Sequence, residues 1–562
     1  MPEAQELASQ IYLSIGGAEV SKSDMQELVE VVVDQHVHLP DFFTLRLHDN
    51  ELKLLDSGPF ELTKEIMIES ATADGTKVTL FKGEITALEP VFKEGMNAEL
   101  VVQGYDKSHR LFRNTRSKAY LNKKDSDLAD EIARAAGLQA DVEQTVTVYE
   151  HIFQHNQTDL SFLMQRAWRI GYECFVSDGK LVFRKPPTGD AALALTWGQE
   201  LLAFRPRLTL AEQVDEVIVK GWDIEKKDAI TGRASKGKLY PKVQEQKDGA
   251  AWAKAFGNGK LVVVDQPVYN QAEADALAAA RLDELSGAFI QAEGEAFRRP
   301  DIKAGQIIEL KALGKRFSGK YLVTTAQHIY NASGLRTTFS VRGARNGLLN
   351  EQSFHNPPLE RWPGAVTGIV TNTEDPKKWG RVKVKFPWLV EDAESHWARV
   401  LGIGAGPEAG FCTIPEVGDE VLVTFLHGDF SQPYVLGGLW NGQHQLPPEV
   451  DGAAEGEKPK VRTWRSPKGH RLTIYDDADN KIEIATAGGS KITLDDANGK
   501  IAISSNGGQS IIIDDNGSKI TLEGKSNVNL NAGGNLKVQA RGNLDLEASG
   551  NVNIKGAMIN LN

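Results

Sequence analysis

The sequence predicts a mainly β chain in three regions. Residues 1–355 read as β-barrel-like domains with a few helices. Residues 362–446 read as a small closed barrel. After a linker over residues 447–466, residues 467–562 read as an intertwined trimeric β-helix. Three observations carry this prediction. The first region alternates short apolar runs with turn signals and holds only three helical stripes. A proline-rich boundary, Asn356-Pro357-Pro358-Leu359-Glu360-Arg361-Trp362-Pro363-Gly364, precedes evenly spaced strands. The C-terminal stretch repeats one small unit from Leu472 to Leu561.

In the first region, Ile11 to Ile15, Glu30 to Val37, Phe42 to Leu47 and Lys77 to Phe81 alternate or run apolar, with turns such as Asp74-Gly75 between them. A helix is expected after Asp125-Ser126 as caps, with Leu128, Ile132, Ala135 and Ala136 as its stripe and Gly137 as its end. A second helix spans about Thr158 to Ile170, lined by Leu160, Leu163, Ala167 and Ile170. A hairpin then runs from Tyr172 to Val176 and from Leu181 to Phe183 through Ser177-Asp178-Gly179-Lys180. Asn270-Gln271-Ala272-Glu273 opens a third helix with a capping-box pattern, and Gly287 stops it. Strands return over Gln306 to Leu310, Tyr321 to Thr325 and Thr337 to Val341.

Past the boundary, Ala365 to Thr371, Gly380 to Phe386, His396 to Val400, Glu420 to Phe425 and Tyr434 to Leu439 make five strands. That number at that spacing fits a barrel of the OB type. Gly402-Ile403-Gly404-Ala405-Gly406 lacks the G-x-G-x-x-G spacing and a following helix, so it reads as a barrel loop. The polar stretch Pro447 to Lys460 reads as linker.

The repeat places an apolar pair around one polar residue, then a turn. The pairs are Leu472/Ile474, Ile482/Ile484, Ile492/Leu494, Ile501/Ile503, Ile511/Ile513, Ile520/Leu522, Val528/Leu530, Leu536/Val538, Leu544/Leu546, Val552/Ile554 and Ile559/Leu561. First members step by nine or ten residues as far as Ile520 and by eight from there to Val552. Period-two alternation makes each unit a short strand with one apolar face, and Gly and Asn supply sharp corners. One unit buries only two apolar side chains, so one chain could enclose only a thin core. Three chains about one axis solve this, with the pairs from Ile492/Leu494 to Val552/Ile554 as trimer core. At ~4.7 Å per strand the prism is on the order of 50 Å long. A calcium-type solenoid would need G-G-x-G-x-D units, which the sequence lacks.

Composition narrows the function. A net charge of −12 and a pI near 5.6, with no basic stripe, argue against nucleic acid as the main partner. Cys174 and Cys412 are the only cysteines, so disulfides do not hold the chain together. Met1-Pro2-Glu3-Ala4-Gln5-Glu6 begins no signal peptide, and the sequence has no run of eighteen apolar residues. Synthesis in the cytoplasm without a signal peptide is expected. His36 and His38 share a strand face but lack a visible third ligand. Glu150-His151-Ile152-Phe153-Gln154-His155 has the wrong order for H-E-x-x-H. No catalytic, cofactor or metal residue is assigned.

Several stretches resemble the VgrG-type central spike proteins of contractile injection systems. In the barrel they are Gly368-Ile369-Val370-Thr371-Asn372, Asp375-Pro376, Gly380-Arg381-Val382-Lys383-Val384-Lys385-Phe386-Pro387-Trp388 and Ile414-Pro415-Glu416-Val417-Gly418-Asp419-Glu420-Val421-Leu422-Val423. Phe425-Leu426-His427-Gly428-Asp429 and Pro433-Tyr434-Val435-Leu436-Gly437 continue the likeness. In the first region they are Gln157-Thr158-Asp159-Leu160-Ser161-Phe162-Leu163, Phe317-Ser318-Gly319-Lys320-Tyr321 and the segment from Gln266-Pro267-Val268 to Gly287. The resemblance covers essentially the whole chain.

The resemblance implies a homotrimer whose first region is a hub between a sixfold tube and a threefold spike. It also implies tube and baseplate proteins as partners, and a needle that punctures the target cell envelope when a sheath contracts. The short layout, with no inserted lysozyme domain and no extension, leans toward an extracellular or phage-tail-like particle; a type VI secretion spike is the alternative. The particle is then found in the cytoplasm or released. A delivered cell-wall hydrolase and a receptor-binding fibre are the rival classes. The first lacks a domain to hold a catalytic cleft, and the second lacks a globular tip. The final repeat would expose Met558, Ile559 and Leu561 as a blunt platform, for which the resemblance implies a PAAR-type tip protein.

Overall fold

The fold is that of a computed structural model. It describes residues 10–341 (except 73, 224, 225, 227, 238–240, 244–246, 265 and 269), residues 362–450 (except 391) and residues 459–561. The boundary residues Asn356 to Arg361 and part of the expected linker lie outside the described residues. The chain divides into two compact units, residues 1–439 and 440–562.

In the first unit, long antiparallel strands form one extended sheet. Its order is Leu201–Leu208, Ile290–Phe297, Gly334–Val341, Gly319–Asn331, Leu28–His36, Phe42–His48, Asn97–Asp106, Lys77–Lys93, Glu65–Ala71, Ile11–Ile15 and Ala18–Glu19. Alternation explains the packing. Val31 and Val33 point inward from Leu28–His36, and Phe43, Leu45 and Leu47 from Phe42–His48; all five are fully buried or nearly so. Two cores result. One gathers Val33, Phe43, Ile68 and Leu100; the other gathers Leu201, Ile308, Tyr321 and Phe339. Strand Gly319–Asn331 pairs with Leu28–His36 and so joins the two halves of the sheet. Lys77–Lys93 is far longer than the expected Lys77 to Phe81, because it continues through Pro90 as one arm of a projecting hairpin.

The three expected helices are present, with adjusted ends. Asp125–Ala135 takes in its expected caps, with Lys124 as the residue before its first turn. Asp125 and Ser126 form its first turn, and the Asp127 carboxylate accepts the Lys124 backbone N–H at 3.0 Å. Thr158 caps Asp159–Arg169 by accepting the Ser161 N–H. Asn270 caps Gln271–Gly287 by accepting the Glu273 N–H, and Gly287 is its last residue rather than its stop. The hairpin Glu173–Ser177/Lys180–Arg184 turns at Asp178-Gly179, both at positive φ.

The barrel sheet runs Lys383–Lys385, Val366–Asn372, Glu420–Phe425, Pro433–Gly438 and Arg399–Val400, the five strands expected of an OB barrel. Val382 and Val384 are fully buried while Lys383 and Lys385 reach outward. Gly418, in the Pro415-to-Asp419 turn, has φ +97°, as the turn requires. One expectation is corrected: the glycine stretch read as a plain loop is half of a hairpin. Ile403–Gly406 pairs with Ala409–Phe411.

The second unit departs from the expected winding. Strands Val461–Arg465, Arg471–Tyr475, Lys481–Ala485, Lys491–Asp495, Lys500–Ser504, Ser510–Asp514 and Lys519–Glu523 pair antiparallel, each with the next, in one meander. Four- and five-residue turns reverse the chain, where corners of a coil were expected. The first strand lies inside the expected linker and escaped the pattern because Arg462 and Trp464 stand where the apolar pair would be, opposite Ile474 and Leu472. From Gly524 to Leu561 no strand and no backbone ladder bond is found among the described residues.

Candidate assembly surfaces

The meander brings the apolar pairs into face-to-face register. Leu472 lies opposite Ile484, Ile484 opposite Ile492, Ile492 opposite Ile503, Ile503 opposite Ile511 and Ile511 opposite Leu522. Ile474, Ile482, Leu494, Ile501, Ile513 and Ile520 form the second column in the same way. Because side chains alternate across a strand, both columns lie on one face. These residues are 36% to 74% exposed, whereas Thr473 and Glu483 on the other face are buried. Two unbroken columns of Ile and Leu facing water are unusual for a soluble sheet. Covering one half-exposed Ile or Leu stabilises by roughly 1 kcal/mol. The gain therefore accumulates along the whole column.

The remaining expected core residues fall in the stretch without intrachain pairing. Val528, Leu530, Leu536, Val538, Leu544, Leu546, Val552 and Ile554 are 49% to 69% exposed. Among the described residues this stretch makes no ladder within the chain, so the strands expected here are absent from the single chain. The change coincides with the step from nine or ten residues to eight. Met558, Ile559 and Leu561 are also exposed, at 80%, 48% and 87%.

The barrel signature has a structural role. Asp375 accepts backbone N–H groups from Lys377, Trp379 and Arg381. The Arg381 guanidinium stands near the faces of Trp379 and Trp397, 5.1 and 5.7 Å from the ring centres. Its hydrogen bonds hold the Asp375 carboxyl far below the usual carboxylate range.

The His36 and His38 rings lie 5.7 Å apart, and the His38 N–H donates to His36 Nδ1. Among the described residues no group of three His, Cys, Asp or Glu side chains is placed to hold a metal, and no helix is long and apolar enough to cross a membrane. The Glu150-to-His155 motif lies on strand Val148–Thr158, where His151, Phe153 and His155 meet the barrel.

Two family models match the chain. One, described as the Alg8 N-terminal domain, covers residues 8–331, more than half of the chain. The other, described as the type VI secretion system/phage-baseplate injector OB domain, covers residues 366–440. A Pseudomonas aeruginosa type VI secretion system spike protein, VgrG4b, is 35% identical over 146 residues, 24% of this chain and 18% of its own length. VgrG5 of the same organism is 41% identical over 106 residues, 17% of this chain and 13% of its own. The matched stretches thus span less than a fifth of these curated relatives. One chain of a Francisella PdpA-VgrG complex shares the fold with a TM-score of 0.50 at 10% identity, covering 92% of this chain and 88% of that one.

Proposed function

The chain belongs to the Alg8 N-terminal domain family and is a VgrG-type spike protein, and from that premise we propose that it acts as the trimeric baseplate spike of a contractile injection particle. Three copies close their apolar columns against one another about a threefold axis. The hub of each copy meets tube and baseplate proteins, adapting threefold to sixfold symmetry, and the repeat region punctures the target envelope when the sheath contracts. The observation that carries this reading is the exposed double column of Ile and Leu. Sedimentation of the purified chain tests it. A trimer at micromolar concentration is expected, and a monomer would overturn the reading.

The role is mechanical rather than enzymatic. A lytic band on peptidoglycan that tracks with the chain would refute this. The chain is made in the cytoplasm and leaves with its particle, which we read as extracellular or phage-tail-like, with a type VI secretion spike as the alternative. Recovery of the chain in sheathed particles from cleared culture fluid is the expected result. Met558, Ile559 and Leu561 are the surface for a PAAR-type tip protein. Deleting residues 551–562 should abolish co-purification of the tip while leaving the trimer intact.

A further inference from the structure

The hub and the barrel meet through one strand face. Along Val148–Thr158, His151, Phe153 and His155 point one way, while Ile152 joins the hub core. Gln154, also turned to the hub, bonds Tyr120, Gln157 and Asp159. A β-bulge between Gln154 and Gln157 sets Asn156 at positive φ at the end of this face. Phe153 enters the barrel core against Phe430 at 4.9 Å, and His155 stacks on Phe430 at 5.1 Å. His151 stands 5.6 Å from His396 of the barrel, ring centre to ring centre. Its Nε2 meets the Glu394 carbonyl oxygen at 3.0 Å, so Nε2 carries the proton of the neutral ring. Its Nδ1 is buried with no partner.

From this geometry we infer that the His151–His396 contact is an acid-sensitive latch: protonation of the two rings loosens the hub from the barrel. A proton added to His151 Nδ1 would become a buried donor without an acceptor. A second charge on His396 would repel the first across 5.6 Å. The groups around the pair do not compensate. On the barrel side, Lys377, Arg381 and Lys383 face His396, and Lys383 and Asp429 face His151. Arg381 is already paired with Asp375, and Lys383 with Glu394. On the hub side, Glu150 stands 3.9 Å from His396 Nε2 and is largely exposed. Burial pushes both imidazoles down to about 4. A cavity of about 490 Å³ opens beside the joint, between Trp222 of the hub and Trp379 and His427 of the barrel. Charged rings gain water by opening into it.

The sign follows from the lowered affinity for protons. The closed joint binds fewer protons than the open one, so its stability is complete above pH 6.5 and falls as the pH drops toward 4. The latch does not depend on which particle carries the chain. Hydrogen exchange read by mass spectrometry on the full-length protein tests it, with rates corrected for the intrinsic effect of pH. Peptides over residues 148–158 and 393–400 should lose protection below pH 6.5, by up to about tenfold per pH unit for each imidazole. The sheet around residues 42–48 should keep its protection. In a protein carrying His151→Gln and His396→Gln together the loss should disappear, and His396→Gln alone should make it shallower. A wild-type joint that stays protected to pH 4 would overturn the latch. So would a single variant with the wild-type slope, or a double variant that opens in parallel with wild type.

Discussion

Arg381 holds Asp375 through its Nε, 3.1 Å from both carboxylate oxygens, and through Nη2, 2.6 Å from Oδ1, with both side chains almost fully buried. The carboxylate in turn gathers three backbone N–H groups of the turn that follows it. Removing one partner strands the other charge. Arg381→Ala should therefore cost the barrel about 3–5 kcal/mol. Thermal unfolding followed by tryptophan emission reads this, since Trp379 and Trp397 flank the guanidinium. The carboxyl's contribution is complete above its ordinary pKa of 3.8 and fades only as the pH falls below it. An Arg381→Ala protein as stable as wild type at pH 7 would contradict this account.

Asp41 and Asp106 give a pH dependence of the opposite sign to the histidines. The Asp41 N–H donates to Asp106 Oδ2 at 2.8 Å; the Asp106 side chain is buried and Asp41 is partly buried. Burial, and for Asp41 also the neighbouring Asp106 charge, pushes both upward, Asp106 to about 6. The folded hub thus binds more protons than the unfolded chain. This contribution is fully present below the ordinary carboxylate pKa and is lost as pH rises through about 6. Asp41→Asn keeps an acceptor for the His36 N–H and removes one of the two like charges. It should stabilise the hub by roughly 1 kcal/mol at pH 8 and by much less at pH 4. Melting temperatures at the two pH values check this, and equal shifts at both would count against it.

These sites differ in how visible they were. The apolar columns were legible because Ile-x-Ile alternation needs no knowledge of a partner strand. Whether such units coil or meander was not legible, since both place the pairs on one face. The change in step at Val528 is visible in the sequence, but the end of intrachain pairing at Gly524 is not. In Glu150-to-His155 the eye follows metal spacing. The partners of His151, Phe153 and His155 are His396 and Phe430, far along the chain, and no local pattern names them. Gly402 to Gly406 read as a loop because glycine rarely signals a strand, yet backbone pairing with Ala409–Phe411 asks for no side chain.

The register of the meander gives a direct test of trimerisation. Ile511 and Ile513 are each the fifth of the six residues in their column, opposite Ile503 and Leu522 and opposite Ile501 and Ile520. Ile511→Asp together with Ile513→Asp places paired carboxylates from each copy on the axis. Each buried, unpaired charge costs several kcal/mol. Sedimentation should report monomer at micromolar concentration, while the far-ultraviolet signal of the hub stays that of wild type. A trimer that survives both substitutions would move the interface elsewhere.

The two halves of the repeat region should respond differently to that same loss. Residues 461–523 satisfy their ladder within one chain, so a separated copy keeps paired amides there. Residues 524–561 have no ladder of their own among the described residues. Every backbone bond they form as strands must come from another copy, because three intertwined chains supply the neighbours that a meander supplies to itself. Hydrogen exchange separates the two cases. In the wild-type trimer, amides over residues 528–554 should be at least as protected as those over residues 481–504. In the Ile511→Asp/Ile513→Asp monomer, amides over residues 528–554 should exchange as in an unfolded chain, while those over residues 471–495 keep measurable protection. The wild-type region should also open slowly, since no strand can leave without breaking bonds to two partners. A fragment of residues 459–562 is then expected to run as a trimer in unheated SDS and as a monomer after boiling. Protection over residues 528–554 that persists in the monomer would show that this stretch folds on itself, and the division at Gly524 would lose its basis.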